Sequence, residues 1–148
     1  MFKHILVPTD GSKLSAKAIR MAVRLARDTG AKVTGVYVTA PYTPPAYAEA
    51  AIYVAAISAK RYRDLCAREA RKALAVIEIE AGSSGVEYGS TTQSGYNPWE
   101  GIIRAAKARK CDLIVMASHG RRGLAGLLIG SETTKVLTHS KIPVLVCR

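Results

Sequence analysis

Two glycines and a serine near the end of the chain have a spacing that suits phosphate binding. Residues 117–120 read Ala-Ser-His-Gly, and nine residues later Gly130-Ser131 opens a predicted helix. Glycine exposes its backbone amide without a Cβ in the way and adopts backbone angles closed to other residues. A helix N-terminus adds unpaired N–H groups and a positive dipole end, which attract anions. The segment predicts an anion-binding loop, although a plain capped connection between a strand and a helix gives a similar pattern.

Motifs for other nucleotide or catalytic chemistry are absent from the sequence. There is no Gly-x-x-x-x-Gly-Lys-Ser/Thr loop, which excludes the P-loop mode of holding ATP, and no Gly-x-Ser-x-Gly elbow, His-Glu-x-x-His or kinase loop. The three histidines are isolated from any carboxylate and nucleophile at recognisable spacing. The three cysteines lack the paired spacings of zinc or redox sites, so we expect ordinary reduced thiols. No catalytic residue is nominated.

Length and composition predict a single domain. With 148 residues and 49% hydrophobic content, the chain has room for one buried core over residues 1–148. No apolar run approaches the roughly 18 uninterrupted residues of a membrane span, and the apolar start is too short for a secretory signal. We therefore expect a cytoplasmic protein without a membrane partner.

The charge balance favours an anionic partner, because 22 Lys and Arg against 11 Asp and Glu give a formal net charge of +11. Charge alone does not choose among nucleotides, nucleic acid and acidic membranes. The basic residues fall mostly on the polar faces of predicted helices, and no aromatic platforms for base stacking are interleaved with them. We interpret them as solvated helix surface, and a nucleic-acid partner is not expected.

The elements that must position the loop alternate between strands and helices. Apolar, β-branched runs predict strands at 3–7, 32–39, 86–92, 112–118 and 143–146, and helical periodicity predicts helices over 12–30, 58–80, 97–109 and 131–138. This alternation indicates a Rossmann-like α/β fold, an open parallel sheet of five strands in the order 3-2-1-4-5 with helices on both faces. Ligands bind such sheets beyond the carboxyl ends of the strands, where the strand order reverses. The Pro8-Thr9-Asp10 turn and the loop after Ala117 are therefore expected to face one crevice.

Local signals predict where the helices begin and end. Ser12 is the expected N-cap of the first helix, and Gly30 its left-handed end. In the second helix, the predicted apolar stripe consists of Leu65, Ala73, Leu74, Val76 and Ile77, and Gly82 and Gly85 are expected to stop the helix. In the Asn-Pro-Trp-Glu run at 97–100, asparagine caps the third helix, proline takes its first position and glutamate bonds back to the cap. Proline and apolar residues between these elements leave positions 41–57 without a clear assignment.

Four segments of this sequence resemble the universal stress protein family. They are Val-Pro-Thr-Asp-Gly-Ser at 7–12, Asp-Leu-Ile-Val-Met at 112–116, Ser-His-Gly nine residues before Gly-Ser, and Pro-Val-Leu-Val at 143–146. The resemblance spans nearly the whole chain, apart from the proline-rich stretch and the second helix. ATP-binding members carry Gly, two residues, Gly, nine residues, Gly and then Ser or Thr. Carried over to this sequence, the glycine positions are 117, 120 and 130, and the first of them is Ala117.

The alanine at position 117 departs from the family pattern where the backbone approaches the nucleotide. A lost contact or mild clash there costs on the order of 1 to 3 kcal/mol, or about 5- to 150-fold in affinity. Alanine is the smallest possible change, so we expect weakened rather than abolished ATP binding.

The resemblance also implies which residues hold the nucleotide. Asp10 would face the ribose hydroxyls or a divalent ion, Mg²⁺ or Mn²⁺, near the phosphates. Pro8 and Thr9 would line the base side, and Val38 and Met116 would enclose the adenine. Taken without the resemblance, the residues favour a turn as the role of Asp10 and the core as the role of Val38 and Met116. The phosphate side would consist of Ala117, Ser118, His119, Gly120, Arg121, Gly130, Ser131 and Glu132.

Backbone amides carry most of the implied phosphate binding. Those of Gly120, Gly130, Ser131 and Glu132 would face the phosphates, with the Ser131 hydroxyl as a further donor. His119 could touch phosphate or simply bond to the backbone. The arginines at 121 and 122 could neutralise phosphate charge or be solvated loop residues.

We therefore expect an ATP-binding regulatory protein of the stress-response type rather than an enzyme. Two alternatives are slow ATP hydrolysis at the same site, using Asp10 and a metal, and a dimeric scaffold that has lost its nucleotide. We also expect self-association, because the final strand, within Ile142 to Cys147, would otherwise leave an apolar β edge exposed. The resemblance points to a homodimer in which this strand pairs with its copy.

Overall fold

Strands and helices alternate in the computed structural model, which describes residues 1–43, 51–120 and 129–148, apart from the side chains of 51–57. The strands are β1 His4–Pro8, β2 Lys32–Thr39, β3 Tyr88–Ser94, β4 Leu113–Ala117 and β5 Val144–Cys147, and the helices are α1 Lys13–Thr29, α2 Ala51–Ser83, α3 Pro98–Ala108 and α4 Ser131–His139. All pairs are parallel and the sheet order is β3-β2-β1-β4-β5. The predicted order 3-2-1-4-5 is confirmed, and the strand order reverses between β1 and β4.

The central strand β1 is buried on both faces by two separate apolar layers. Ile5 and Val7 pack with Ile19 of α1, whereas Leu6 packs with Ile102 of α3. Successive strand residues point to opposite faces, so α1 and α2 cover one face of the sheet and α3 and α4 the other. Fully burying one such aliphatic side chain stabilises the fold by about 1.5 to 3 kcal/mol. The predicted placement of helices on both faces is confirmed.

The first helix begins and ends where the sequence predicts. The Ser12 side chain accepts a hydrogen bond from the N–H of Ser15 at 3.1 Å, as an N-cap does. Gly30 closes the helix at φ 69°, and its N–H donates to the carbonyl of Ala26. Because Ser12 follows β1 after only three residues, this cap also fixes the turn at the end of β1.

The predicted limits of α2, β3 and β5 differ from those in the structure. α2 begins at Ala51 instead of Ser58 and continues through Gly82, whereas the second predicted stop, Gly85, takes the left-handed turn, with φ 66°. Leu65 keeps 50% of its surface exposed, so its predicted place on the buried stripe is wrong. β3 and β5 lie two residues and one residue later than predicted, since β3 pairs with β2 over Tyr88–Ser94 and β5 covers Val144–Cys147.

The third helix starts at Pro98 as predicted, but its cap is different. The Asn97 side chain makes no capping hydrogen bond, and its amide donates to the Glu100 carboxylate at 3.0 Å. Instead, the N–H of Trp99 donates to Glu132 of α4, also at 3.0 Å. The start of α3 is thus capped by a residue that lies next to the predicted phosphate loop.

Within the described ranges, no helix is long and apolar enough to cross a membrane. The cytoplasmic location and the single domain over 1–148 stay predictions. Positions 44–50 of the unassigned stretch lie outside the described residues.

Candidate functional site

The carboxyl ends of β1 and β4 lie side by side, because these two strands pair with each other. A Cβ placed on Gly120 would lie only 2.6 Å from Oδ2 of Asp10. The carboxylate of Asp10 therefore packs against the Gly120 backbone. The turn at 8–10 and the loop at 117–120 meet in one crevice, as the strand order predicts.

Short hydrogen bonds fix the turn that carries Asp10. The N–H of Ser12 donates to Oδ1 of Asp10 at 2.9 Å, and the N–H of Gly11 donates to Oγ1 of Thr9 at 3.1 Å. The hydroxyls of Thr9 and Ser15 lie 3.0 Å apart within the protein. Asp10 thus starts a turn and also faces the crevice. The Thr9 side chain is buried and shapes the turn, whereas Pro8 is partly exposed.

Hydrogen bonds at the end of β4 hold the start of α4 against the sheet. The hydroxyl of Thr133 donates to the carbonyl of Ala117 at 3.0 Å, and the N–H of Ser118 donates to the carbonyl of Cys147 at 2.7 Å. The N–H of Gly130 donates to the carbonyl of Ser118, also at 2.7 Å. The first turn of α4 is therefore anchored beside the loop at 117–120.

Glycine at 130 is required by close packing and not by its backbone angle. Its φ of −76° and ψ of 160° are ordinary extended values, and Gly120 is likewise not among the described glycines with positive φ. A Cβ on Gly130 would lie 3.0 Å from Cβ of His119 and 3.3 Å from the carbonyl oxygen of Ser118. The expectation that these glycines adopt backbone angles closed to other residues is wrong. The close packing around both positions instead favours a residue without a Cβ atom.

The first turn of α4 offers backbone donors that the protein does not use. The N–H groups of Ser131, Glu132 and Thr133 have no hydrogen-bond partner among the described residues. The N–H of Gly130, by contrast, is taken by Ser118. N–H groups at the positive end of a helix dipole can donate to an anion. The Ser131 side chain is exposed beside them and adds a hydroxyl.

The Glu132 side chain turns away from these amides and toward α3. Its Oε2 accepts the N–H of Trp99 at 3.0 Å, and its Oε1 lies 3.2 Å from Nζ of Lys135. A carboxylate beside bound phosphate would repel it. Directing the Glu132 charge to α3 leaves the amides of α4 open to an anion while it caps the start of α3.

Val38 and Met116 belong to the apolar layer under α3. Met116 is 5% exposed, while Val38 is half-buried in the same layer. A Cβ on Gly101 of α3 would lie 2.9 Å from Cγ1 of Val38, so α3 rests directly on this valine. Both side chains have a core role, and Val38 has more surface for contact with a ring.

The remaining predicted residues of the loop differ in burial. His119 is half-buried, and its Nδ1 lies 3.1 Å from the hydroxyl of the fully buried Ser118. Ala117 is 8% exposed, and alternation along β4 places its methyl on the same face as Val115, in the layer covered by α1. Arg121, like the arginine after it, lies outside the described residues.

Metal binding by the protein alone is not favoured in the part of the chain that the structure describes. No group of three or more His, Cys, Asp or Glu side chains there could hold an ion. Asp10 supplies a single carboxylate at the crevice. Mg²⁺ is commonly bound by one or two carboxylates together with phosphate oxygens, so Asp10 fits an ion that arrives with a nucleotide.

Burial keeps two thiols protonated at neutral pH. Burial, and to a smaller extent the nearby Asp112 charge, raises the pKa of Cys111 to about 11. Burial also raises the pKa of Cys147, whose carbonyl accepts the Ser118 N–H. These two thiols are poor nucleophiles, because the thiolate is the reactive form.

Sequence reasoning missed three side chains that hold the crevice in shape. Ser15 bonds to Thr9, Thr133 bonds to the end of β4, and Glu132 caps α3. Ser15 could have been found from its position three residues after the N-cap. The partners of Thr133 and Glu132 are 16 and 33 residues away, and no local signal identifies them.

An open groove of about 510 Å³ between α3 and α4 is distinct from the crevice. Trp99 and His139 form part of its wall, with ring centroids 4.5 Å apart, and Lys107 lies beside them. None of its lining residues belongs to the predicted phosphate site. We give more weight to the crevice, because it combines unused donors, a carboxylate and two glycines that admit close approach.

Comparison with known proteins gives one family over the full length. A family model described as the universal stress protein family matches residues 1–148. The chain is 32% identical over 149 residues to universal stress protein YxiE of Bacillus subtilis (strain 168), covering 100% of both chains. It is similar to the solved structure of hypothetical protein MJ0577 of Methanocaldococcus jannaschii, with a TM-score of 0.81, 27% identity and coverage of 99% and 95%. A universal stress protein solved in complex with cAMP aligns at a TM-score of 0.70 and 24% identity, covering 99% and 97%.

Proposed function

The chain belongs to the universal stress protein family, and on that premise we propose that residues 1–148 form one domain that binds ATP at the carboxyl ends of β1 and β4. The observation that carries this proposal is that the N–H groups of Ser131, Glu132 and Thr133, at the start of α4, have no partner among the described residues. These donors lie beside two closely packed glycines, since a Cβ on Gly120 would lie 2.6 Å from Asp10 and one on Gly130 would lie 3.0 Å from His119. Such a constellation is suited to the phosphates of a nucleotide.

In this proposal the phosphates lie at the N-terminus of α4. The amides of Ser131, Glu132 and Thr133 and the Ser131 hydroxyl donate to phosphate oxygens. Gly120 leaves room for the Asp10 carboxylate against the loop, and its amide is proposed as a phosphate donor from the family resemblance. Gly130 acts by packing, because its own N–H is bonded to Ser118. His119 and Arg121 are proposed as further phosphate contacts from the family resemblance.

The ribose and a divalent ion would be held at the other side of the crevice. Asp10 has one carboxylate oxygen fixed by the Ser12 N–H, and its second oxygen is directed toward Gly120. That oxygen can accept a ribose hydroxyl or contact Mg²⁺ or Mn²⁺ carried by the phosphates. Binding of the triphosphate together with its metal also reduces the repulsion between Asp10 and the phosphates.

The adenine would lie against the ends of β1 and β2. Pro8 and Val38 retain accessible surface there and supply apolar contact. Thr9 and Met116 are buried, so they contribute by shaping the wall under the base. An adenine nucleotide is also the type of ligand in the solved complex of a family member with cAMP.

The proposed role is regulatory binding rather than catalysis. Binding of ATP would stabilise the conformation in which the turn at 8–10, the loop at 117–120 and α4 are held together. Any ligand that binds only the folded state raises its stability, by about 2.7 kcal/mol at a hundred times Kd. The ligand state can thereby change affinity for a partner.

Thermal unfolding with a ligand series tests this proposal. We expect Mg-ATP to raise Tm more than ADP, and ADP more than adenosine, because the phosphates supply most of the contacts. Inorganic triphosphate should stabilise less than ATP, since it lacks the base and ribose. Equal Tm values with and without ATP at saturating concentration would contradict the proposal.

Two further measurements distinguish the alternatives. Mass spectrometry of gently purified protein should detect bound ATP, which would exclude a nucleotide-free scaffold. Phosphate release should stay at the buffer rate. If it exceeds that rate and falls in Asp10→Ala, the protein is a slow ATPase instead of a regulatory binder.

We also propose that the protein is a homodimer formed through β5. This strand pairs only with β4 among the described strands, and Leu145 on it is 41% exposed. An unpaired apolar edge favours pairing with a second copy. Sedimentation at micromolar concentration should give a dimer mass, and Leu145→Lys should shift it to the monomer. A monomeric wild-type protein would refute the dimer but would not test the proposed ATP binding.

A further inference from the structure

The exposed face of α1 carries five basic side chains in a straight row. The row, here called the α1 basic ridge, consists of Lys13, Lys17, Arg20, Arg24 and Arg27, all of them exposed. At 100° per residue these positions fall within about 80° of the helix circumference, and they span about 21 Å along its axis. The ridge is centred opposite the buried side of the helix, which includes Ala18 and Ala22.

Helix stability does not explain this arrangement. Each cation of the α1 basic ridge has another cation three or four residues away, and such like-charge neighbours destabilise a helix. The first turn contains Lys13 and no acidic residue, although the positive end of the helix dipole favours acids there. The row is therefore not explained by the stability of α1 itself.

Few carboxylates neutralise the ridge in the described residues. Arg20 lies 3.5 Å from Glu80, and Arg27 lies 3.1 Å from its neighbour Asp28. Lys17 and Arg24 have no ion pair in the same part of the chain.

The ridge also borders a shallow cleft that has no acidic side chain in its lining. The cleft, of about 220 Å³, is bounded by Arg148 and by three cations of the ridge. Cys147 and Met21 complete the lining. Every charged side chain in its lining is therefore cationic, with Glu80 next to Arg20 as the neighbouring acid, and such a positive surface attracts a phosphate-rich partner.

We propose that the α1 basic ridge binds duplex nucleic acid through the phosphate backbone, without reading base sequence. A straight convex row of cations fits a regular polyanion, in which phosphates recur along both strands. Single strands are held by aromatic stacking platforms, and α1 contains no aromatic residue. Peripheral membrane helices insert apolar side chains, whereas Met21 is the one large apolar residue of α1 that is clearly exposed. The sequence alone favours solvated surface for these cations. The structure adds the small number of ion pairs along the ridge and the cleft beside it that has no acidic side chain in its lining.

The ridge meets the proposed nucleotide site only at its first residue, Lys13, which follows the turn that carries Asp10. The rest of the ridge lies on the face of the sheet covered by α1 and α2, whereas the amides proposed for phosphate belong to α4 on the other face. Duplex binding can therefore fail or succeed without deciding whether ATP binds.

Fluorescence anisotropy with a labelled duplex of random sequence tests the proposal. Because each phosphate contact releases counterions, we expect log K to fall with log salt at a slope of about −3 to −5 between about 50 and 200 mM. The double variant Lys17→Gln/Arg24→Gln should reduce the steepness of this slope by about 2 and weaken binding at low salt. Both residues are exposed and have no ion pair among the described residues, so the variant should fold, which circular dichroism checks.

A matched control separates a specific ridge from general positive charge. Lys107→Gln/Arg109→Gln removes two exposed cations at the end of α3 and should keep the wild-type slope. Equal weakening in both double variants would overturn the proposal, because net charge alone would then explain binding. So would a wild-type protein that does not bind duplex at low salt. Binding to anionic phosphatidylserine vesicles without binding to duplex would also overturn the proposal, because the partner of the ridge would then be a membrane surface.

Chemical footprinting of the wild-type protein gives a second, independent test. Acetylation of lysines, read by mass spectrometry, should slow at Lys13 and Lys17 when duplex is bound. Lys107 should be modified at the same rate with and without duplex. Protection at Lys107 with none at Lys13 and Lys17 would refute the assignment to the ridge.

Discussion

The hydrogen bonding of polar groups differs between the two ends of the paired strands β1 and β4. At the amino end, the Asp112 carboxylate accepts the N–H groups of Lys3 at 2.8 Å and His4 at 2.9 Å. The buried His4 ring lies 2.8 Å from the hydroxyl of Thr34. At the carboxyl end, three amides in the first turn of α4 have no partner among the described residues. One end is closed by internal hydrogen bonds, whereas the other is where we propose that a ligand binds.

From this difference we expect the amino end of the two strands to contribute mainly to stability and the carboxyl end mainly to ligand binding. Internal hydrogen bonds contribute about 0.5 to 1.5 kcal/mol each, and breaking one so that a buried group is unsatisfied costs more. Donors kept unpaired at a helix start contribute little to folding but interact strongly with anions. Substitutions at the amino end should therefore change stability, and those at the carboxyl end should change ATP affinity.

The largest effect on affinity is expected from Gly130→Val. Its side chain would collide with the backbone and Cβ of His119 and with the Ser118 carbonyl, so the start of α4 must move. Strain of about 1 to 3 kcal/mol is typical of such overpacking, and we expect ATP affinity to fall at least about tenfold. Titration calorimetry measures it. Gly82→Ala, where an added Cβ meets nothing within 4 Å, is the control and should bind as wild type. Unchanged affinity in a folded Gly130→Val protein would contradict the proposed phosphate site.

At the amino end, Asp112→Ala should destabilise the fold without changing ATP affinity. Two N–H groups lose their acceptor, so the free energy of unfolding should fall by about 1 to 3 kcal/mol in urea titration. Burial acts to raise the pKa of Asp112, but the N–H groups of His4 and Lys3 outweigh it and lower that pKa below 3.8. The stabilisation is therefore present above pH 3.8 and is lost as the carboxylate protonates. Weaker ATP binding at unchanged stability would contradict the assignment of stability to the amino end and of binding to the carboxyl end.

His4 should make the amino end sensitive to mild acid. Burial, followed by the nearby charge of Lys32, lowers the pKa of His4 below 6.5, so the folded state favours the neutral ring. Below pH 6.5 the unfolded chain binds the proton more readily, and stability falls until the folded pKa is reached. His4→Gln should lack this decline in urea midpoint between about pH 7 and pH 5. A decline of equal size in both proteins would assign it to other groups.

The smallest effect is expected from Ala117→Gly at the carboxyl end. The methyl of Ala117 is 8% exposed and lies on the face covered by α1, so little of it can meet a nucleotide. We expect ATP binding to tighten by about fivefold or less, the low end of a lost-contact effect. The glycine should also lower stability by about 0.5 to 1 kcal/mol, as it does in strands. Unchanged affinity would show that Ala117 does not weaken ATP binding, and the expected weakening would then be wrong.

Local signals were sufficient for the fold, whereas the details of the site depend on distant partners. Ser12 and Gly30 mark the ends of α1, and alternating strands and helices give the sheet order. The cap of α3 is different, because Glu132 reaches Trp99 across 33 residues and replaces Asn97. Similarly, Gly130 is explained only by its packing on His119, which no residue pattern within the loop reveals.

Isothermal titration of the wild-type protein with Mg-ATP tests the central claim most directly. The account predicts saturable binding with one nucleotide per chain, and a much weaker signal for Gly130→Val in the same buffer. Absence of binding heat at millimolar ATP, with the protein folded by circular dichroism, would contradict it.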